Sequence, residues 1–564
     1  MKHVYLKSVI LCSSLLFLSA CGGGSSSPAT TTTEAPTATN ITVSGTALYV
    51  DIDAKVTGLD YANPTDKPIR GAVVEVQNAS GAKLGSTNTT ETGTFSVSIP
   101  NTETINILVK ASLGDSKTAP NTVVIDNKRD DAVWVLSATG ITTSGTDVSK
   151  TLTAASGRGS STEVGVKAYT ETRIAGPFAI LDVIYEGQKR VKTVISDAEF
   201  PALKVHFSPT DTEEGSSFDG DDILHIVAID GVDTDEYDSL VVGHEWGHYL
   251  EDKFSRSDST GGNHTRSDVL HPSLAFGEGY GYAVAAMILN DPLVVDTTGE
   301  GNTDGSGEVN IELDNVLDTE FNAAAQAVGV NVLSDGYYSE VSIQEVLWDL
   351  YDSGALDTDN DGLELGFAPI FKALNEGQKN TKAYTSIFSF LHYLKVQVPD
   401  DTAKIDALAS AENIDASSNN EFEDPNGSVL PTLYTNVPAD GNPVTLDTDG
   451  ETLKTFEVFG TVASSDSKFG NKLLNQRFFK STITNAGCYK LTAAAVSPSS
   501  ATLLFNAPEL DDLVGSDNQP VNPVITDFEA GEIVVFNISS SSPNTEFTVS
   551  LGETEASGCE VNAR

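Results

Sequence analysis

The spacing of apolar residues changes twice along this chain, and that double change limits the folds open to it. From Ile41 to about Ser137, the runs ITVSGTALYVDI, GAVVEVQNASGAKLGSTNT, GTFSVSIP and INILVKASL alternate apolar with polar residues, the pattern of strands with one buried face. A Ser/Thr/Gly-rich linker, Ala138 to Thr162, follows. The apolar period then lengthens to that of helices in Val166 to Ile184, in a stretch beginning near Asp238, in Val341 to Tyr351 and in Ala383 to Val396. Gly176-Pro177 is expected to end or kink the first of these. Val205-His-Phe207 and Ile223 to Ile229 read as strands among the helices, and the mixed segment closes in polar Ala411 to Ser428. Strand character then returns in FEVFGTV, CYKLTAAAV, ATLLFNA, EIVVFNI and EFTVSL, between turns rich in Gly, Pro and Asn. A chain of 564 residues exceeds one typical core, so three or four domains are expected, and 39% hydrophobic residues suffice to fill them.

The expected divisions are 1–21, 22–40, 41–140, 141–428 and 429–564. Lys2 and Lys7 precede the apolar run Val9 to Leu18, which is too short to span a bilayer and reads as an export signal. Leu18-Ser-Ala-Cys21-Gly22 resembles the bacterial lipobox, in which the chain is cut before the cysteine and Cys21 is lipidated. The expected location is therefore the bacterial cell envelope, outer membrane or surface, with the membrane as a partner through a lipid anchor. Gly22 to Asn40 has almost no apolar residues and reads as a flexible tether. Of the four cysteines, Cys12 is discarded with the signal and Cys21 carries the lipid, which leaves Cys488 and Cys559 as a natural disulfide pair. Closing that loop would stabilise the region by about 4 kcal/mol.

Asp and Glu number 80 against 33 Lys and Arg, a formal charge of -47, which argues against nucleic acid or anionic lipid as a partner surface. Most of this charge reads as a solvated acidic surface, although some carboxylates are expected to collect calcium. Asp357-Thr-Asp359-Asn-Asp361-Gly362 places carboxylates at positions 1, 3 and 5 of a calcium loop and glycine at 6, but position 12 is Ala368 where a glutamate is expected.

The chemistry concentrates in Val242-Gly-His-Glu-Trp-Gly-His-Tyr-Leu-Glu251. On a helix, residues four apart face the same way, so His244 and His248 present two imidazoles to one metal ion. Glu245 is then placed to take a proton from water beside the metal rather than to ligate it. Asp238 or Ser239 can cap this helix. The alternative is a pair of histidines packed in a core. A third ligand decides: the metzincin spacing falls on Phe254, and thermolysin-like spacing falls on Asp268, short for the role and followed by the helix-breaking Pro272. Glu278 is the stronger candidate, because it opens the apolar helix Ala275 to Leu289, where a carboxylate is costly unless it is paired or bound to a metal.

His244-Glu-Trp-Gly-His248 followed by Gly277-Glu-Gly-Tyr-Gly281 resembles the gluzincin metallopeptidases, most of all the fungalysin group, over about 50 residues from Asp238 to Leu289. The resemblance implies an outlying family with zinc held by His244, His248 and Glu278, Glu245 as general base, and protein or peptide substrates. Those families carry an aspartate four residues after the glutamate ligand; here that position is Tyr282, so another carboxylate must orient a histidine. Candidates for a donor to the developing oxyanion are Tyr337, Tyr338 and His392, while His264 and His271 lie near the motifs in loops. Pro68-Ile-Arg-Gly-Ala-Val-Val-Glu-Val76 and Glu91-Thr-Gly-Thr-Phe-Ser-Val97 are similar to the transthyretin-like regulatory domain beside many carboxypeptidases.

The expected fold is thus multidomain, an α+β zincin-like catalytic domain flanked by N-terminal and C-terminal β-sandwich domains. The expected function is a zinc metalloendopeptidase. Its rival is a surface adhesin that keeps zinc for stability.

Overall fold

The computed structural model describes residues 40–114, 120–157, 173–212, 215–229, 232–266, 268–299, 309–310, 335–353, 362–418, 420–422, 433–442, 444–445, 471, 473, 476–497, 499, 503–506, 524–540 and 546–554. Cys21, Cys559 and the acidic loop of Asp357, Asp359 and Asp361 lie outside these residues. Cys488 is disulfide-bonded.

The molecule mixes several β-sheets with helices, in the order that the apolar spacing implies. Near the N-terminus the twelve-residue strand Asn40–Asp51 is the hub of one sheet, pairing antiparallel with Thr65–Pro68 and Thr94–Pro100 and parallel with Val148–Ala154. A second four-stranded sheet is built from Val73–Asn78, Lys83–Asn88, Thr104–Lys110 and Val135–Thr142. Alternate residues of these strands, among them Ile41, Val43, Val74, Val76, Ile105 and Ile107, are buried in a core continuous with the helical region.

The strand Val135–Thr142 runs across residue 140, and Thr122–Asp126 pairs in parallel with Leu203–His206. Leu203–His206 in turn pairs with Ile223–His225. Neighbouring strands complete each other's hydrogen bonds, so an edge left unpaired by one region is covered by the next.

The helices used below are α1 (Gly176–Lys192), α2 (Ser239–Phe254), α3 (Pro272–Leu289) and α4 (Glu340–Asp349). Two prolines expected to oppose helix open one instead. Pro177 and Pro272 occupy the first turns of α1 and α3, where the missing N–H has no partner to lose and the fixed φ favours the helix. The apolar run ends at Asn290, which adopts a left-handed conformation (φ 58°) as the cap of α3. Among the described residues no helix is long and apolar enough to cross a membrane. The C-terminal strands form two further four-stranded sheets around a separate core containing Phe479, Phe536, Phe547 and Leu551.

His271 joins α3 to this last region. Its Nδ1 accepts from the Ser273 backbone N–H at 3.0 Å, its backbone N–H donates to Asn471 O at 2.8 Å, and its ring meets Tyr384 and Phe478 edge-on. The acceptor role requires the neutral ring, and burial lowers the His271 pKa from 6.5 to about 3. A histidine with a depressed folded pKa stabilises fully above its unfolded pKa, and that stability is lost as pH falls from about 6.5 toward 3. At pH 5 the loss is about 2 kcal/mol. Thermal unfolding of the wild type and of His271→Asn, which keeps a cap acceptor, is expected to differ by that much more at pH 7.5 than at pH 5. Parallel pH profiles for the two proteins would refute it.

Candidate metal centre

Two buried helices set the site. Helix α2 carries His244, Glu245 and His248, and α3, packed alongside it, carries Glu278. The helices approach closely because glycines face each other. A Cβ on Gly247 would come within 2.7 Å of Val284 Cγ1, and one on Gly281 within 2.8 Å of His244 Nδ1. The His244 ring therefore packs against α3 at Gly281, and the Tyr282 ring meets it at a tilt of 49°, ring centroids 4.1 Å apart.

The ligand atoms converge. His244 Nε2 is 3.0 Å from His248 Nε2 and 3.2 Å from Glu278 Oε2, and His248 Nε2 is 3.4 Å from the same oxygen. Together the three side chains form a group able to hold a metal ion. Donors bonded to one tetrahedral ion at about 2.0–2.1 Å stand about 3.3–3.4 Å apart, so two nitrogens and one oxygen at these separations fit such an ion with little movement. Glu245, next to His244, is 8% exposed, and its charge is felt at His248.

Charge and hydrogen bonding tie the titratable groups of the cluster to one another. Burial opposes charge on His248, but the charge and hydrogen bond of Glu278 carry it up to about 9. Glu278 would be raised by burial, yet the charge of His248 and hydrogen bonds from His244, His248 and His264 hold it well below the usual carboxylate range. A metal bound here displaces those protons.

His264 is the residue that sequence reasoning passed over. Its Nε2 lies 3.4 Å from Glu278 Oε2 and 3.4 Å from Glu340 Oε2 on α4, which links the loop after α2 to both carboxylates. Burial again opposes its charge, and the hydrogen bond and charge of Glu278, then the charge of Glu340, bring it up to about 9. Glu340 itself is pushed up to about 7 by burial.

The three oxyanion candidates have other described partners. Tyr337 packs against Tyr338 and Phe388, Tyr338 donates to Asp335 O at 3.3 Å, and His392 meets Tyr393 edge-on. Asp268 accepts from the Thr265 N–H at 2.8 Å, so the metal group takes Glu278 instead. The expected aspartate partner for a histidine is replaced by packing: His244 Nδ1 is buried without a hydrogen bond, and Arg266 lies over the Tyr282 ring at 5.0 Å. Glu251, fully buried one turn after His248, is raised to about 8 by burial, against the opposing charge of His248 and a hydrogen bond from Ser257. A cleft of about 600 Å³ lined by Tyr185, Gln188 and Phe200 contains none of the metal-centre residues.

A scan against models of known protein families finds none that matches this chain, and a search of curated proteins finds no relative.

Proposed function

We propose that this chain is a zinc-dependent metallopeptidase with His244, His248 and Glu278 as ligands and Glu245 as general base. The observation that carries the reading is the convergence of three ligand atoms within 3.0–3.4 Å, with a carboxylate on the residue next to one of them. Two imidazoles and one carboxylate suit a borderline ion that leaves one position open, as in catalytic zinc sites. When bound, zinc polarises a substrate carbonyl and acidifies water. Glu245 takes the proton of the attacking water and returns it to the leaving amine, in the work of a general base and then acid. His264, whose Nε2 lies 3.4 Å from Glu278 Oε2, is our candidate to donate a hydrogen bond to charge that develops on the carbonyl oxygen. The buried α2–α3 contact keeps these groups rigid and limits water.

On this reading the flanking sheets are β-sandwiches, and the mature protein is a lipid-anchored envelope protein that cuts extracellular or surface proteins. The purified protein is expected to contain one equivalent of zinc and to cleave casein. Removal of zinc by a chelator abolishes cleavage, and added zinc restores it. Zinc bound without cleavage of any protein substrate would turn the reading toward an adhesin, and absence of zinc would remove it.

A further inference from the structure

A second group of carboxylates lies beyond the metal centre, where the chain enters α2. Asp233 and Asp235 come from the strand Asp233–Thr234 and the short turn of helix after it, and Asp296 comes from the segment leaving α3. Each offers an oxygen within 4.8 Å of the others. We propose that Asp233, Asp235 and Asp296 bind a calcium ion that ties the start of α2 to the end of α3.

The unmet bonding of the cluster is the observation that carries this beyond an acidic patch. Asp235 is only 3% exposed; one of its oxygens accepts from Ser216 Oγ, and the other is buried with no hydrogen-bond partner. The Oδ1 atoms of Asp233 and Asp296 are buried in the same condition. Among the described residues no lysine or arginine forms an ion pair with these three. The nearby acids have their own partners: Glu236 is bonded by the buried Arg173, and Asp238 accepts from the Thr297 N–H at 2.8 Å and its hydroxyl at 2.9 Å. Arg266 offsets Asp296 at a distance, while it lies over Tyr282. Burial, followed by the charge of Asp296, raises Asp233 to about 6, as expected of buried carboxylates that face one another.

The donor set selects the ion. Three carboxylates with no imidazole or thiolate suit a hard cation, and oxygens gathered from a turn and a distant segment suit the irregular, high coordination of calcium better than the octahedron of magnesium. The backbone already joins the two segments here, since Asp233 bridges Thr298 and Gly299 N–H donates to Val232 O at 2.7 Å. The ion completes a clasp at the far ends of the helices that carry the histidines and Glu278.

The test is thermal unfolding of calcium-stripped protein with and without calcium chloride, for the wild type, Asp296→Asn, Asp235→Asn and Asp359→Asn, with zinc held saturating. The wild type is expected to gain roughly 5–10 °C at a hundredfold excess over its dissociation constant, and much less with magnesium. Asp296→Asn is expected to lose the gain and to unfold no lower than the stripped wild type, because one like charge has been removed; a folded Asp235→Asn behaves the same way. Asp359→Asn keeps the gain. A wild type indifferent to calcium, a gain equal with magnesium, or a gain lost only in Asp359→Asn would each overturn the proposal.

Discussion

On the proposed reading, Glu245→Gln is expected to keep bound zinc and lose hydrolysis, with kcat lower by about 10²–10⁴ and KM little changed. The substitution preserves side-chain volume at a position that is 8% exposed, between His244 and Trp246 on a helix packed on both sides, so folding is not at stake. What changes is basicity: an amide cannot accept the proton of water at neutral pH. The proposed ligand atoms of His244, His248 and Glu278 are untouched, so metal analysis of the variant should match the wild type. A variant whose kcat falls less than tenfold would show that Glu245 is not the base, and loss of zinc would make it a ligand or a structural support.

The second large effect comes from a residue with no side chain. Gly281→Ala places a methyl group within 2.8 Å of His244 Nδ1 and 2.9 Å of its Cε1, atoms of a ring that already packs on Tyr282. Either the imidazole turns or the helices part. Zinc affinity is expected to fall about 10–100-fold, as it does when the orientation of a ligand is disturbed. Stability is expected to fall by about 1–3 kcal/mol from overpacking. The sign makes the test informative, because alanine in a helix interior is intrinsically better than glycine by roughly 0.5–1 kcal/mol. Competition with a chromophoric chelator and thermal unfolding read the two effects. Unchanged affinity together with equal or higher stability would mean that the close approach places no demand on His244.

Much of this was legible in the residues because burial makes its own demands. Glu278 stood out as a charge in an apolar helix, and His244 and His248 through their helical spacing; the three side chains meet as that reasoning requires. Prolines 177 and 272 misled, because a proline that breaks the interior of a helix also begins one, and the sequence around it does not say which side the helix lies on. Asp238 precedes α2 as a cap should, yet its carboxylate turns to Thr297, a partner 59 residues away. His264 carries no periodic signal in a loop rich in Ser, Gly and Asn, and only the packing of α4 brings Glu340 to its other side. Asp233, Asp235 and Asp296 likewise gain meaning only when two distant segments pair. Strand alternation near residue 140 has the same limit: it marks that a strand exists, but not which sheet it joins.

That shared sheet governs the order in which the chain can finish folding. Thr122–Asp126 pairs with Leu203–His206, itself beside Ile223–His225, and Asn40–Asp51 waits for Val148–Ala154 more than a hundred positions later. A nascent or translocating chain that has delivered only its first 140 residues therefore holds two open parallel edges and cannot complete either sheet. Closure over such long separations is slow, and the exposed edges invite pairing with other chains in the interval. A gene cut at residue 140 would thus part both strands from the partners that complete their sheets.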